Sequence, residues 1–417
     1  MILCWAWAAL VLAQGNPDLT LPAALLEALK NNPALMAESA AAEAAAARVS
    51  SAGSLEDPQL GLRAMNYPVS NFSSKKFEMT GNEISLSQKF PYPGKRALLE
   101  RAAALRSDSQ AQSSKLASFE LKRAVKEAFF TLYLAQELVG TQRQKLSLLE
   151  HARSLAIKKL PLSQVSQEEV TALEVEAAKA DAELGIRLSK FARGQALLNH
   201  LMGRASHKSD EKLSVSTRAA RATDKLGSLA LIETALANNP KILALKKAEE
   251  AQKAQLEYTA LNTLPDFEAM LGYTQRDATQ PGNGDDFASA GISVNLPIWA
   301  SSKQSAERTE AKALLFGATK LREEEENHVR HYISDLVSEI ASISHSLETY
   351  RKSILPLLDQ SADLASRAYA SGQEKFASLL EKINARFQSQ EEYLQILVDL
   401  ELKQAELDYI VGAEIDG

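Results

Sequence analysis

Two histidines, His328 and His331, are the residues best suited to metal chemistry in this sequence, and they follow the acidic run at 323–326. Their i, i+3 spacing would place both imidazoles on one face of a helix, and imidazole is a common zinc ligand. The spacing is not the His-Glu-x-x-His of a metalloprotease. A charged, solvated helix face therefore explains the pair better, and we expect no metal site.

No other residues form a catalytic constellation. The remaining histidines are isolated in the sequence: His151, His200, His207 and His345. No glycine-rich phosphate loop follows a predicted strand. The net charge of −6 argues against a nucleic-acid partner, which requires a basic surface. We predict a protein that is not an enzyme and that needs no cofactor.

The N-terminus has the composition of an export signal. Residues 1–13 form an uncharged apolar run that ends in the small-residue pattern of Val11 and Ala13, although the usual positive n-region is missing. A frayed hydrophobic terminus is the alternative. Cys4 is the single cysteine and comes too early in the run to predict a lipid anchor, so the exported chain would be cysteine-free. No later stretch has eighteen apolar residues, which argues against helical membrane spans.

One block of sequence occurs twice, about 207 residues apart. The pattern Ala-Leu-x-x-Asn-Pro at 28–33 returns at 235–240, and Gly203 near the end of the first half corresponds to Gly412 in the second. A period of this length indicates a duplicated structural module, because solenoid repeats are only 20–50 residues long. The predicted boundaries are 1–13 for the signal peptide, 14–204 for the first repeat, 205–227 for a linker and 228–417 for the second repeat.

Each repeat has the same predicted order of elements. An alanine-rich helix opens it, at about 19–53 and 228–262. Two short extended stretches follow in each repeat and are predicted as strands, at about 59–67 and 82–91, and at about 266–275 and 286–297. Residues 82–90 and 290–296 alternate apolar with polar side chains, the period of a strand with one apolar face. Two long helices close each repeat, at about 94–160 with 164–202, and 300–370 with 373–411. We expect Pro356 to kink the longest helix, with local relaxation or water compensating for the missing donor. The last helix has the four-and-three spacing of a coiled coil at Phe376, Leu380, Ile383, Phe387, Leu394 and Leu397.

The strands are long enough to cross a bilayer as tilted β-strands, but four strands cannot close a barrel. Open sheet edges are not tolerated in a membrane. Three copies of the chain would supply twelve strands, enough for a closed barrel with an aqueous lumen. The same threefold assembly would gather the long helices into an α-helical barrel.

Several short motifs in this order resemble the TolC-like outer-membrane efflux proteins. They are the two Asn-Pro segments, Phe90-Pro91-Tyr92-Pro93-Gly94-Lys95-Arg96, Leu296-Pro297-Ile298-Trp299, Ile354-Leu355-Pro356, and Tyr369-Ala370-Ser371-Gly372 before Phe376. The resemblance implies a homotrimeric exit duct of a tripartite efflux or type I secretion system. Its 12-stranded β-barrel would lie in the outer membrane, and its α-helical barrel would cross the periplasm to a periplasmic adaptor and an inner-membrane pump.

The resemblance also implies a gate where the two helical hairpins turn. The gate positions fall on Glu169, Tyr369 and Glu381. The sequence departs from the family pattern at two positions. Glu374 occupies the position of the family's gate arginine, and Ser378 occupies that of its second constricting aspartate. Ordinary solvated or capping residues are an equal alternative. The hairpin tips expected to contact the adaptor are Leu162, Ser163, Gln164, Ser371, Gly372 and Gln373.

Two further hypotheses concern cargo and function class. The Phe90–Arg96 junction resembles members that work with heavy-metal pumps, and Met65 and Met79 could contact soft metals, although scattered methionines more often pack. The alternative function is an exported coiled-coil structural protein or a periplasmic adaptor. An adaptor should contain one helical hairpin within two glycine-rich β segments, whereas this sequence predicts two hairpins.

Overall fold

The computed structural model describes residues 19–75, 77–162, 165–204, 227–278 and 284–413. The predicted signal peptide, nearly all of the predicted linker, Ser163 and Gln164 lie outside these residues. The chain divides into two compact units. The first contains residues up to 38, 114–240 and 326–417, and the second contains 39–113 and 241–325. Each unit draws on both halves of the sequence, so the repeat boundaries stay a prediction.

The described helices and strands occur in the same order in both halves. The helices are α1 (Leu21–Asn31), α2 (Pro33–Gly53), α3 (Lys95–Lys159), α4 (Gln167–Leu201), α5 (Ser228–Asn238), α6 (Pro240–Leu261), α7 (Ser305–Thr349), α8 (Leu355–Ala370) and α9 (Phe376–Val411). The strands are β1 (Gln59–Met65), β2 (Gly81–Phe90), β3 (Phe267–Arg276) and β4 (Phe287–Val294). The expected class, mainly α with a small β part, is confirmed.

The opening helix of each half is broken, and the prediction of single helices at 19–53 and 228–262 was wrong. The breaks fall at Asn32 and Asn239, whose backbones are extended. Each of these residues precedes a proline, and the proline ring disfavours a helical conformation in the residue before it. Pro33 and Pro240 then begin the next helix, where a missing N–H costs nothing.

The long helices match their predicted positions closely. Helix α3 has 65 residues. The stretch predicted at 300–370 begins with a π-helix at Ala300–Gln304 and contains another at Tyr350–Ile354, immediately before Pro356. There the N–H of Leu355 donates to the carbonyl of Tyr350, five residues back. This π-helical turn is the local relaxation expected at the proline.

The four strands form one antiparallel sheet in the order β1-β2-β3-β4, within the second unit. Strand β2 pairs with β3 from the other half of the chain, with Leu86 opposite Leu271. Among the described residues, the outer strands β1 and β4 each have one neighbouring strand, so both edges of the sheet are open within this part of the chain.

The first unit has an apolar core between its long helices. One cluster lies around Phe129 and includes α1 and the end of α4. Another lies near the hairpin turns and contains Leu173, Phe376 and Ile383. Among the described helices, none carries the run of apolar residues that crossing a bilayer requires.

Candidate functional site

The sheet has one continuous apolar face. Strand register places Leu62 opposite Ile84, Ile84 opposite Tyr273, and Tyr273 opposite Ala288. The apolar residues of this face are all exposed: Leu60, Leu62, Ala64, Ile84, Leu86, Phe90, Phe267, Ala269, Leu271, Tyr273, Ala288, Ala290, Ile292 and Val294. Three polar residues, Asn82, Gln88 and Gln275, also lie on it. An apolar surface of this extent on a water-soluble sheet would be unusual, because soluble proteins rarely expose large contiguous apolar patches.

The opposite face of the sheet is polar. On it Arg63 lies 3.5 Å from the carboxylate of Glu83, and the Ser293 hydroxyl donates to Glu268 at 3.4 Å. Gly61 and Gly272 occupy positions where an added Cβ would lie 2.6 Å from a serine hydroxyl on the neighbouring strand. One face of the sheet is therefore apolar and the other polar, and the described residues provide no strand that pairs with its two outer edges.

An ion pair between a buried lysine and a half-buried aspartate lies where the strands meet the helices. The Lys95 ammonium is 2.8 Å from the Asp266 carboxylate and also donates to the carbonyl of Leu264 at 3.3 Å. Asp266 accepts a further bond from the backbone N–H of Tyr92 at 2.7 Å. The lysine begins α3 after β2 in the first half, and the aspartate precedes β3 in the second half, so this pair joins the β2–α3 junction to the α6–β3 junction. Sequence reasoning missed it.

The turn between α8 and α9 is a tight helix C-cap. Gly372 has φ +75°, a left-handed conformation that favours glycine. Its N–H donates to the carbonyl of Tyr369, and the N–H of Gln373 donates to that of Ala368. This pair of bonds is the Schellman arrangement. Ser371, Gly372 and Gln373 are exposed at this turn. The matching turn in the first half contains the other three predicted tip residues, Leu162, Ser163 and Gln164. Of these, the structure describes only the backbone of Leu162.

A cleft of about 1140 Å³ lies between the two hairpin turns. It brings together two of the three predicted gate residues, Glu169 and Tyr369. Burial, followed by hydrogen bonding to the Glu169 carboxylate and by the charge of that carboxylate, raises the pKa of Tyr369 to about 12. The tyrosine therefore keeps its proton and can donate it at neutral pH. The Lys159 ammonium lies 5.7 Å from the Tyr369 ring centre.

The carboxylate of Glu169 retains a free acceptor in the cleft. Its Oε1 atom is buried and has no hydrogen-bond partner among the described residues, so only part of the carboxylate is engaged by Tyr369. The backbone N–H of Glu169 donates to the Ser166 hydroxyl, which caps α4. The residue thus lies next to the helix cap and also lines the cleft.

The two positions that depart from the family pattern interact with each other. The Ser378 hydroxyl donates to the carboxylate of Glu374, one helical turn away. Glu374 lines the cleft, whereas the third predicted gate residue, Glu381, does not. The exposed Glu381 carboxylate is 3.4 Å from the neighbouring Lys382 ammonium.

The Asn-Pro motifs have a function that sequence reasoning also missed. The Asn32 side chain accepts bonds from the N–H groups of Ala34 and Leu35, at 2.9 and 3.1 Å, and so caps α2. Its amide donates to the carbonyl of Leu201 at 2.9 Å. The repetition of the motif was the available signal, since asparagine is a favoured N-cap and proline a favoured first helical residue.

The second half repeats this arrangement. The amide of Asn239 donates to the carbonyl of Ile410 at 2.7 Å, in a buried environment. The helices that receive these bonds end at Gly203 and Gly412, with φ +72° and +71°. The asparagine of each Asn-Pro motif therefore hydrogen-bonds to the end of the last long helix of its own half. We call these two helices, α4 and α9, the return helices.

Charged residues also join α3 to α9. The Lys126 ammonium and the Asp408 carboxylate are 2.8 Å apart, and their side chains are only 11% and 6% exposed. Near them, the guanidinium of Arg123 lies 4.9 Å from the ring centre of Tyr409, and the hydroxyl of Tyr409 donates to Glu120 at 3.4 Å.

Comparisons with known proteins agree with this architecture. No family model matches the chain. It is 22% identical over 303 residues to the cobalt-zinc-cadmium resistance protein CzcC of Cupriavidus metallidurans, which covers 70% of this chain and 68% of that protein. The solved outer-membrane channel OprN superposes with a TM-score of 0.80 at 15% identity, covering 94% of this chain and 90% of that one. The outer-membrane protein VceC of Vibrio cholerae gives 0.77 at 15% identity, covering 95% and 97%. The chain has the fold of these outer-membrane channels, which confirms the resemblance to the TolC-like proteins at the level of fold.

Proposed function

We propose that this chain forms the outer-membrane exit duct of a tripartite efflux or type I secretion system. The observation that carries the proposal is the amphipathic four-stranded sheet with two open edges. Unpaired backbone groups are not tolerated in a bilayer, so the edges must pair with other copies. Three copies give twelve strands, with the apolar face toward lipid and the polar face toward a water-filled lumen.

The duct conducts passively, and an inner-membrane pump with a periplasmic adaptor supplies the driving force. The similarity to a cobalt-zinc-cadmium resistance protein favours transition-metal cations as cargo. The solved proteins of the same fold are channels, and we expect no catalytic activity. The alternative of an adaptor is disfavoured because the chain contains two helical hairpins, α3–α4 and α8–α9, and a membrane-type sheet.

The cleft between the hairpin turns is the proposed gate. The Tyr369 hydroxyl and the Glu169 carboxylate belong to different hairpins, so an interaction between them favours the closed arrangement. A hydrogen bond to a charged acceptor is the stronger kind. Three copies of Glu381 around the axis would form a carboxylate ring that favours cations. The tips, at Leu162, Ser163, Gln164, Ser371, Gly372 and Gln373, are the proposed adaptor contact.

A pair of lysine substitutions in β4 tests the membrane placement. Ile292 lies on the apolar face and is 78% exposed, whereas its neighbour Ser293 lies on the polar face opposite Glu268. A lysine facing lipid near the bilayer midplane costs about 2–4 kcal/mol. Ile292→Lys should therefore reduce the amount of trimer in the outer-membrane fraction, and Ser293→Lys should not.

Cell fractionation followed by the mass of the detergent-extracted protein gives the readout. Equal effects of the two substitutions would mean that the apolar face does not contact lipid. A soluble periplasmic monomer of the parent chain would end the proposal.

A further inference from the structure

The duplication allows contacts within one chain to predict contacts between two copies. In a closed ring of duplicated chains, each first repeat has a second repeat on either side, one from its own chain and one from the next copy. Residues equivalent to an observed contact between repeats should therefore meet across the subunit boundary. This step rests on the proposed trimer, which is the assembly that pairs the sheet edges.

The ends of α4 and α9 give the first residue equivalence. The carbonyls that accept from the two Asn-Pro motifs are those of Leu201 and Ile410, which are separated by 209 residues. The left-handed glycines Gly203 and Gly412 have the same separation. His200, in the last turn of α4, therefore corresponds to Tyr409.

The buried positions of α3 and α7 give the second equivalence. Three apolar residues of each helix that are at most 3% exposed have the same spacing, Val125, Ala128 and Leu132 in α3, and Ile333, Leu336 and Ile340 in α7. Their separation is 208 residues. After the π-helix at Tyr350–Ile354 the separation becomes 209, as from Ala156 to Ala365, because a π-helical turn accommodates one extra residue.

When these equivalences are applied to one observed contact, they predict a cluster of three histidines at the equivalent position. Within the chain, Tyr409 contacts both Glu120 and Arg123. The residue equivalent to Tyr409 is His200, and those equivalent to Glu120 and Arg123 are His328 and His331. All three equivalent positions are histidines, in a chain that has six.

We propose that His200 of one copy, with His328 and His331 of the next copy, forms a binding site for a divalent transition-metal cation at each subunit boundary. Three imidazoles with an open fourth position suit zinc and cobalt. The three residues are exposed in the single chain, as is Asp335, which continues the α7 face one turn beyond His331. Within one chain, the described residues contain no group of three potential ligands, so the site is incomplete without a second copy.

The bound cation would fasten α4 of one copy to α7 of the next. A ligand that binds only the assembled state stabilises that state by mass action. The trimer should therefore resist dissociation more strongly when zinc or cobalt is present. This property is distinct from conduction of metal cargo, since the proposed site lies between helices of adjacent copies.

Cobalt titration of the detergent-purified full-length protein tests the metal site. Co²⁺ bound by imidazoles absorbs in the visible range, and we expect one bound cation per chain. A residue that only supports a metal ligand typically contributes about 10–100-fold to metal affinity, and loss of a ligand itself should cost at least as much. His200→Gln, His328→Gln and His331→Gln should therefore each weaken cobalt binding at least about tenfold. His345→Gln, also exposed on α7, is the control and should leave binding unchanged. Equal binding by all four variants would overturn the site.

Co-expression tests whether the site spans two copies. Chains with His200→Gln and chains carrying both His328→Gln and His331→Gln should each lack binding, whereas mixed trimers regain one intact site. Failure to regain binding in mixed trimers would overturn the inter-subunit assignment.

Disulfide trapping tests the geometry without metal. A chain with both His200→Cys and His328→Cys should form covalent dimers and trimers under oxidation, and each single variant should not. A trimeric protein without these crosslinks would show that the repeat equivalence is wrong while the duct proposal stands. Crosslinked trimers that bind no cobalt would refute the metal site but support the contact between copies. A monomeric parent protein would overturn both the metal site and the duct proposal.

Discussion

Replacing Asn32 with alanine should selectively loosen the end of α4. The Asn32 side chain makes three hydrogen bonds, two as the N-cap of α2 and one to the carbonyl of Leu201. The alanine variant loses all three, and it leaves the Leu201 carbonyl without this donor in a part of the chain where Asn32 itself is only 7% exposed.

The expected cost follows from these contacts. Loss of an N-cap asparagine costs about 0.5–2 kcal/mol. Leaving a buried carbonyl unpaired costs about 1–3 kcal/mol. A combined loss of about 1.5–5 kcal/mol in the free energy of local opening corresponds to a fall in amide protection of roughly ten-fold to a few thousand-fold, at about 1.4 kcal/mol per tenfold.

Hydrogen exchange measured by mass spectrometry on the purified protein gives the readout, in peptides that cover 33–38 and 198–204. The neighbouring Asn31→Ala is a matched control, because Asn31 is exposed at the last position of α1. Asn32→Asp keeps a capping oxygen but removes the donor to Leu201, so it should expose the 198–204 peptide and spare the 33–38 peptide. If Asn32→Ala exchanges like Asn31→Ala, the Asn-Pro motif does not hold the return helix.

The remaining predictions concern the ion pair, the gate and the tip. Lys126→Met should destabilise the protein by about 3–5 kcal/mol by removing the cation that faces the buried Asp408 carboxylate, and adding Asp408→Leu should restore most of the loss, as read from thermal unfolding; no recovery would show that the charges are not coupled. Tyr369→Phe should raise single-channel conductance in planar bilayers, and Glu381→Gln should reduce cation selectivity; parental behaviour of both would place the gate elsewhere. Ser371→Cys should crosslink to a periplasmic adaptor, and its failure while a cysteine in the 277–285 loop succeeds would reverse the proposed orientation.

Sequence periodicity was sufficient for the regular elements and failed at the local irregularities. The alternation of apolar and polar residues predicted the positions of β2 and β4 to within a few residues, because successive side chains of a strand point to opposite faces of the sheet. The breaks at Asn32 and Asn239 were missed because alanine-rich flanks favour helix on both sides of a single residue. The π-helix before Pro356 could be anticipated only as an unspecified relaxation.

The contacts of the candidate site were less accessible to sequence reasoning. Lys95 and Asp266 are 171 residues apart in sequence, and Lys126 and Asp408 are 282 apart. Periodicity assigns such residues to a helix or strand face without identifying the partner across the interface. The proximity of Tyr369 to a carboxylate was expected only through the family resemblance, and the Glu374–Ser378 bond, made by the two departing residues, was not foreseen.

The two repeats have kept their backbone anchors and changed their interfaces. The Asn-Pro breaks and the left-handed glycines recur in both halves, because each return helix must end against the same kind of turn. The buried Lys126–Asp408 pair has no equivalent pair, since the positions corresponding to these residues carry Ser334 and Asn199. In the proposed trimer, a contact within a chain and its equivalent between chains would be subject to different requirements. The first forms as the chain folds, whereas the second would also have to permit assembly and opening. Chemistry that responds to the surroundings, such as metal ligation by histidine, is therefore better placed at the boundary between copies than at the fixed interface inside each one.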